Sequence, residues 1–139
     1  MMDEYSRCAM KTSFGAITGK PLVVGGSEGR LDATARGGWF AIEEAARSLK
    51  LRLKEATVAV QGFGNVGSFA ASLGRSLSGC RVVAVSDSRG GIFRREGLDP
   101  EEVMLHKEKT GTVVGFPGSD TIANEDLLEL DTDILIPAA

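Results

Sequence analysis

Three glycines and one acid are the residues of this chain best suited to chemistry. Gly62, Gly64 and Gly67 form a Gly-x-Gly-x-x-Gly run that encloses Phe63, Asn65 and Val66, and Asp87 follows 20 residues after the last glycine. Placed between a strand and a helix, such a run binds the pyrophosphate of a dinucleotide. The first glycine permits the sharp turn out of the strand. The second leaves no side chain between backbone and phosphate, and the third lets the helix lie close on the sheet. The open N–H groups and the positive dipole end of that helix then face an anion. An acid at this distance reaches the hydroxyls of the adenine ribose.

Glycine-rich turns are common, so the elements that position the run decide its weight. Before it stands Thr57-Val58-Ala59-Val60-Gln61, the pattern of a buried strand. After it, Val66, Phe69, Ala70, Leu73 and Leu77 recur with a helical period, and Cys80 to Ser86 read as a second strand ending in Asp87. Strand, turn, helix, strand and acid make one βαβ unit. The chain closes on Asp133-Ile134-Leu135-Ile136-Pro137-Ala138-Ala139, which reads as a further buried parallel strand whose carboxyl end opens on the ligand crevice. The expected fold is therefore α/β: a Rossmann-like, doubly wound, mostly parallel sheet in three αβα layers. The bland reading of the same residues is a βαβ unit whose glycines serve packing alone.

Composition narrows the classes. The 139 residues amount to one domain, 42% apolar and 25% charged, as in ordinary globular proteins. A net charge of −3 supplies no basic field for nucleic acid or an anionic membrane. No apolar run approaches the roughly 20 residues of a spanning helix, and Met1-Met2-Asp3-Glu4 lacks the pattern of a signal peptide. Cys8 and Cys80 stand far apart without metal-ligand spacing and read as reduced, half-buried thiols of a cytoplasmic protein.

Residues 1–12 read as a short helix, and 14–30 as a long irregular stretch, either a functional loop or a plain surface excursion. Trp39, Ile42, Ala46, Leu49 and Leu53 mark a helix that Asp32 or Thr34 would cap. Beyond Asp87, Ser88-Arg89-Gly90-Gly91 is a turn. Arg89, Arg94 and Arg95 either hold a 2′-phosphate or form a solvated edge, the latter favoured for Arg94 and Arg95. Asp99-Pro100-Glu101-Glu102 has the acidic cap, first-position proline and following glutamate of a helix start, and that helix stops near Gly111. His106 within it, flanked by Lys107 and Lys109, reads as a surface histidine. Residues 112–116 are expected as a strand, 117–120 as a turn, and Asn124 as the cap of a short helix through Leu127 and Leu128.

Taken together, Met2-Asp3-Glu4-Tyr5-Ser6, Thr18-Gly19-Lys20-Pro21-Leu22, Gly25-Gly26-Ser27-x-Gly29-Arg30, Ala33-Thr34-x-Arg36-Gly37, Gln61 to Gly67 and Asp133 to Ala139 resemble the glutamate branch of the Glu/Leu/Phe/Val dehydrogenases. The resemblance implies oxidative deamination of L-glutamate to 2-oxoglutarate and ammonia, with hydride passing to NAD or NADP, in a homo-hexamer. By position it implies that Thr34 contacts the nicotinamide carboxamide. Gly62, Phe63, Gly64, Asn65, Val66 and Gly67 would hold the pyrophosphate, Asp87 and Ser88 would meet the adenine ribose, and Ala138 and Ala139 would line the nicotinamide pocket. Members of the family usually read Ala-Thr-Gly-Arg-Gly where Ala35 stands here, a change that a helix start accepts unless the backbone needs positive φ. The family's catalytic lysine, substrate-binding glycine segment and catalytic aspartate belong to an N-terminal domain with no counterpart in these residues. The expectation is thus a coenzyme-binding domain over residues 1–139, with 1–30 as a lead-in, 31–139 as the core, and no catalytic residue of its own. Asp87 leans the coenzyme toward NAD, by repulsion of a 2′-phosphate. The competing readings are a stand-alone nucleotide-binding or regulatory module, and a packing domain that needs a partner chain.

Overall fold

Glycines bound the strands at the centre of the sequence: Gly62 follows Gln61, where one strand ends, and Gly90 opens another. The computed structural model describes residues 1–139, which fall into two compact units, Met1–Ala33 and Thr34–Ala139. In the first unit, α1 (Met2–Cys8) is a short helix with no buried residue, four residues shorter than expected at its carboxyl end. Two 3-10 turns follow, Phe14–Ala16 and Leu22–Val24. The Lys20 ammonium donates to the carbonyls of Phe14 and Ile17, supplying the first of these turns with a partner that no regular element provides.

The second unit holds a five-stranded sheet in the order β4-β3-β2-β1-β5. Its strands are β1 (Thr57–Gln61), β2 (Arg81–Asp87), β3 (Gly90–Phe93), β4 (Asp120–Ile122) and β5 (Ile134–Pro137). β1 pairs in parallel with β2 and with β5, whereas β2–β3 and β3–β4 are antiparallel. The sheet is therefore mixed, and the expected parallel arrangement is confined to β2-β1-β5. The cause is local: Ser88 and Arg89 form a tight connection that turns β3 back along β2, and no crossover helix intervenes. β5 is parallel as expected but not fully buried. It lies at the sheet edge, with Ile134 and Ile136 against the core and Leu135 40% exposed.

The helices α2 (Ala33–Leu49), α3 (Asn65–Leu73), α4 (Pro100–Thr110) and α5 (Asn124–Leu128) complete the unit. Lys50, in left-handed conformation, stops α2 before Leu53, which sits in a separate 3-10 turn and not on the expected helix face. Trp39 is 1% exposed, and its indole N–H donates to the Ala70 carbonyl of α3 at 2.7 Å. Its ring lies where a side chain at Gly74 would stand, 2.3 Å from the nearest ring atom. From Gly74 the helix widens into a π turn through Ser78 and ends at left-handed Gly79. Val58, Val60, Val82, Val85 and Ile92 form the sheet's buried surface with Trp39, Ala70 and Val103 packed in the same cluster. α5 covers a smaller cluster, in which Leu127 packs with Ala59 and Ala84.

Three local expectations change. Residues 112–116 are turns, not a strand: Val113 and Phe116 are buried side by side, Gly115 has φ +82°, and the Val113 N–H bonds to a carboxylate in place of a ladder partner. The strand falls instead on Asp120–Ile122. Ala123, not Asn124, precedes the helix α5, and its N–H is taken by the Asp126 carboxylate. Cys80 is buried and Cys8 exposed, so neither thiol is half-buried. At Ala35 the departure from the family pattern costs nothing, because the residue sits in helical backbone on the buried face of α2.

Candidate functional site

The turn from β1 into α3 is built by glycines whose surroundings leave three different amounts of room. Gly62 has φ +87°, and a Cβ there would stand 2.8–2.9 Å from the backbone of Ala138 and Ala139. The Ala138 N–H donates to the Gln61 carbonyl at 2.8 Å, so the last residues of the chain are held against the turn. At Gly67 a Cβ would fall 1.8 Å from the Gly62 carbonyl oxygen, which is the close approach of helix to strand that the motif requires. At Gly64 a Cβ would meet nothing within 4 Å. Gly64 is the N-cap of α3 and gives no side-chain cap. Asn65 and Val66 open the helix, and the Ser68 N–H closes on the Gly64 carbonyl. The result is a helix amino end with open space in front of it, the geometry that favours an anion.

Ser86 holds this turn from below, a role that sequence reasoning missed. It is fully buried at the end of β2, its carbonyl accepts the Phe63 N–H, and its hydroxyl accepts the Gly62 N–H at 3.4 Å. The Phe63 side chain turns inward and is 3% exposed.

Asp87, the next residue, is more engaged than an acid waiting for a ribose. Its Oδ1 accepts from the Arg89 N–H at 2.8 Å and the Thr112 hydroxyl at 3.2 Å, and its Oδ2 accepts from the Val113 N–H at 2.8 Å. The Asn124 amide donates to its backbone carbonyl at 3.0 Å. Burial by itself would raise the carboxyl's pKa. The Arg89 and Val113 N–H groups, the Thr112 hydroxyl and the nearby Lys107 charge outweigh it and leave the group below the usual aspartate value. Ser88 and Arg89 are exposed beside it.

Lys107 is the second residue that the sequence did not single out. It lies one helical turn after buried Val103, donates to the Phe63 carbonyl at 2.7 Å, and stands 3.9 Å from Asp87 Oδ2. Its spacing from Val103 is the only signal that could have marked it as facing the sheet. Beside it, His106, expected at the surface, is half-buried. Its Nε2 meets the Val114 carbonyl at 3.2 Å and its ring stands edge-on to Phe116.

Gly62, Phe63, Gly64, Asn65, Val66 and Gly67 thus share one turn, with Asp87 behind it and Ala138–Ala139 against it. Thr34 is an exposed residue of the first turn of α2. Arg94 and Arg95 follow the far end of β3, since Gly90 pairs with Asp87 and Phe93 with Ala84. Arg94 instead lines a cavity of about 350 Å³ with Arg75, Arg81, Glu96 and Asp99, at the opposite end of β2 from the glycine turn.

Residues 25–139 match the family model described as Glutamate/Leucine/Phenylalanine/Valine dehydrogenase. The chain is 54% identical over 138 residues to a glutamate dehydrogenase of Thermotoga maritima, covering 99% of this chain and 33% of that one. It is 50% identical over 139 residues to the cryptic catabolic NAD-specific glutamate dehydrogenase of Bacillus subtilis, covering 100% and 32%. The crystal structure of a hetero-hexameric glutamate dehydrogenase from Thermus thermophilus superposes with a TM-score of 0.85 at 42% identity, over 99% of this chain and 32% of that chain. The chain spans about a third of the length of these relatives. With the family model spanning most of its length, the chain belongs to the Glutamate/Leucine/Phenylalanine/Valine dehydrogenase family.

Proposed function

We propose that residues 1–139 form the coenzyme-binding part of a glutamate dehydrogenase, with a Rossmann-like core of doubly wound character. In this reading the turn from Gly62 to Gly67 holds the pyrophosphate of a nicotinamide dinucleotide through the amino end of α3. Asp87 and Ser88 border the adenine ribose, Thr34 meets the nicotinamide carboxamide, and Ala138 and Ala139 line the nicotinamide pocket. NAD is the preferred coenzyme, in keeping with the NAD-specific relative and with the acid at the end of β2. Bound there, a nicotinamide coenzyme supplies the hydride acceptor for oxidation of L-glutamate to 2-oxoglutarate and ammonia. The residues that hold glutamate and move its protons belong to the rest of a full-length enzyme, which assembles as a hexamer, and these 139 residues alone do not turn over.

One observation carries the reading. The space at Gly64 is open in front of a helix amino end, while Gly62 and Gly67 are filled by backbone. A turn whose glycines served packing alone would have no reason to leave the middle one clear. The test is calorimetric titration of the chain with NADH and, separately, NADPH. Saturable binding with NADH the tighter ligand is expected. A folded chain that binds neither would overturn the reading and favour a domain that only packs on a partner. Glutamate-dependent NADH production by this chain would overturn its silence.

A further inference from the structure

We infer that Lys107 is a positioning residue for the coenzyme, acting through the peptide that joins Phe63 to Gly64; this rests on the coenzyme-binding reading above. The argument begins with covalent geometry. In a trans peptide the carbonyl and the following N–H point in opposite directions, and this chain has no cis peptide bond. The Phe63 carbonyl is held by the Lys107 ammonium at 2.7 Å. The Gly64 N–H is therefore aimed away from Lys107 and α4. Gly64 is the N-cap of α3, with open space where its side chain would be. An amide so placed is a donor fixed before any phosphate arrives.

The preceding peptide follows the same logic. The Phe63 N–H is taken by the Ser86 carbonyl, so the Gly62 carbonyl points the other way, and the Gly67 Cα lies directly against it. Two successive peptide planes of the turn are thus set from outside it, one by the end of β2 and one by α4. Without a partner on the Phe63 carbonyl, the 63–64 plane would be held on its Gly64 side only by a residue that imposes little restriction on its backbone.

Lys107 is in turn steadied. Asp87 Oδ2 stands 3.9 Å from the ammonium, and Oδ2 is itself fixed by the Val113 N–H. Asp87, with three hydrogen bonds already made, serves here as the anchor of Lys107 as much as a partner for ribose. Fixing donors in advance saves the ordering that binding would otherwise cost.

The experiment compares the wild-type chain with Lys107→Met and Lys107→Arg by titration with NADH and NADPH, after circular dichroism and thermal unfolding have shown each variant folded. Lys107→Met is expected to weaken both coenzymes by about tenfold, the worth of one charge-assisted hydrogen bond. Lys107→Arg, which still presents a cationic donor, is expected to restore most of the loss. Equal binding by wild type and Lys107→Met overturns the inference while leaving the coenzyme site intact. Loss confined to NADPH also overturns it, since Lys107 would then contact a 2′-phosphate directly. A wild type that binds neither coenzyme removes the function proposed above and the inference with it.

Discussion

Thr57 and Asp133, 76 residues apart, clasp each other where β1 and β5 begin. Asp133 Oδ2 accepts both the Thr57 N–H and the Thr57 hydroxyl at 2.8 Å, and the Asp133 N–H donates to that hydroxyl oxygen at 3.1 Å. The clasp sets the register in which Val58 lies opposite Ile134, and so delivers Ala138 to Gln61 at the other end of the strand. Because the site is solvent-exposed, water recovers part of what is lost on truncation. Asp133→Ala is expected to cost about 1 kcal/mol. Urea unfolding would show this as a lower midpoint with unchanged slope, and an unmoved midpoint would mean that strand pairing alone sets the register.

Asp87 gives a sharper effect, since truncation strands buried donors. Asp87→Ala is expected to destabilise the chain by roughly 2–4 kcal/mol, by leaving the Val113 N–H unpaired and Lys107 without its counter-charge. The pH dependence follows from the lowered pKa. An acid bound more weakly by protons in the folded state stabilises above its unfolded value of about 3.9, and that stability is lost as pH falls toward the folded value. Asp133 and Asp99 are lowered as well, so the wild type should lose stability steeply below about pH 4. Asp87→Asn should start less stable at pH 7 and show a shallower fall. Parallel pH profiles for the two proteins would contradict this.

The glycines of the turn divide by the room around them. Gly62→Ala adds a methyl against the backbone of Ala138 and Ala139 at positive φ, and should cost about 2–4 kcal/mol through strain and overpacking. Gly64→Ala places its methyl in open space with ordinary extended backbone, and should leave the melting temperature within a few degrees. Its methyl would instead occupy the approach to the amino end of α3, so NADH affinity should fall. Loss of stability in Gly64→Ala together with full NADH binding would reverse this assignment.

The two thiols should differ in reactivity. Burial raises the Cys80 pKa, while Cys8 is exposed on α1. A disulfide reagent at neutral pH should therefore label one thiol promptly in the native chain, and the second only as fast as the chain unfolds. Prompt labelling of both would mean that the start of β2 opens readily.

The strand–turn–helix at the centre of the molecule was legible in the residues because every part of it is local. Glycine spacing, apolar period and the acid after the second strand all lie within 31 consecutive residues, from Thr57 to Asp87. The start of α4 was legible for the same reason: Asp99 accepts from the N–H groups of Glu101 and Glu102, partners two and three residues away. What the sequence could not decide was everything that depends on a distant partner. Residues 112–116 have the composition of a strand, yet the Asp87 carboxylate takes the Val113 N–H and folds the segment into a turn. The direction of β3 is set by a two-residue connection that composition leaves open. Lys107 carries no motif. It matters only because α4 packs where its ammonium meets the Phe63 carbonyl, 44 residues earlier in the chain. Period and turn chemistry are written in neighbours along the chain, whereas the partner of a buried carbonyl or carboxylate is chosen by packing.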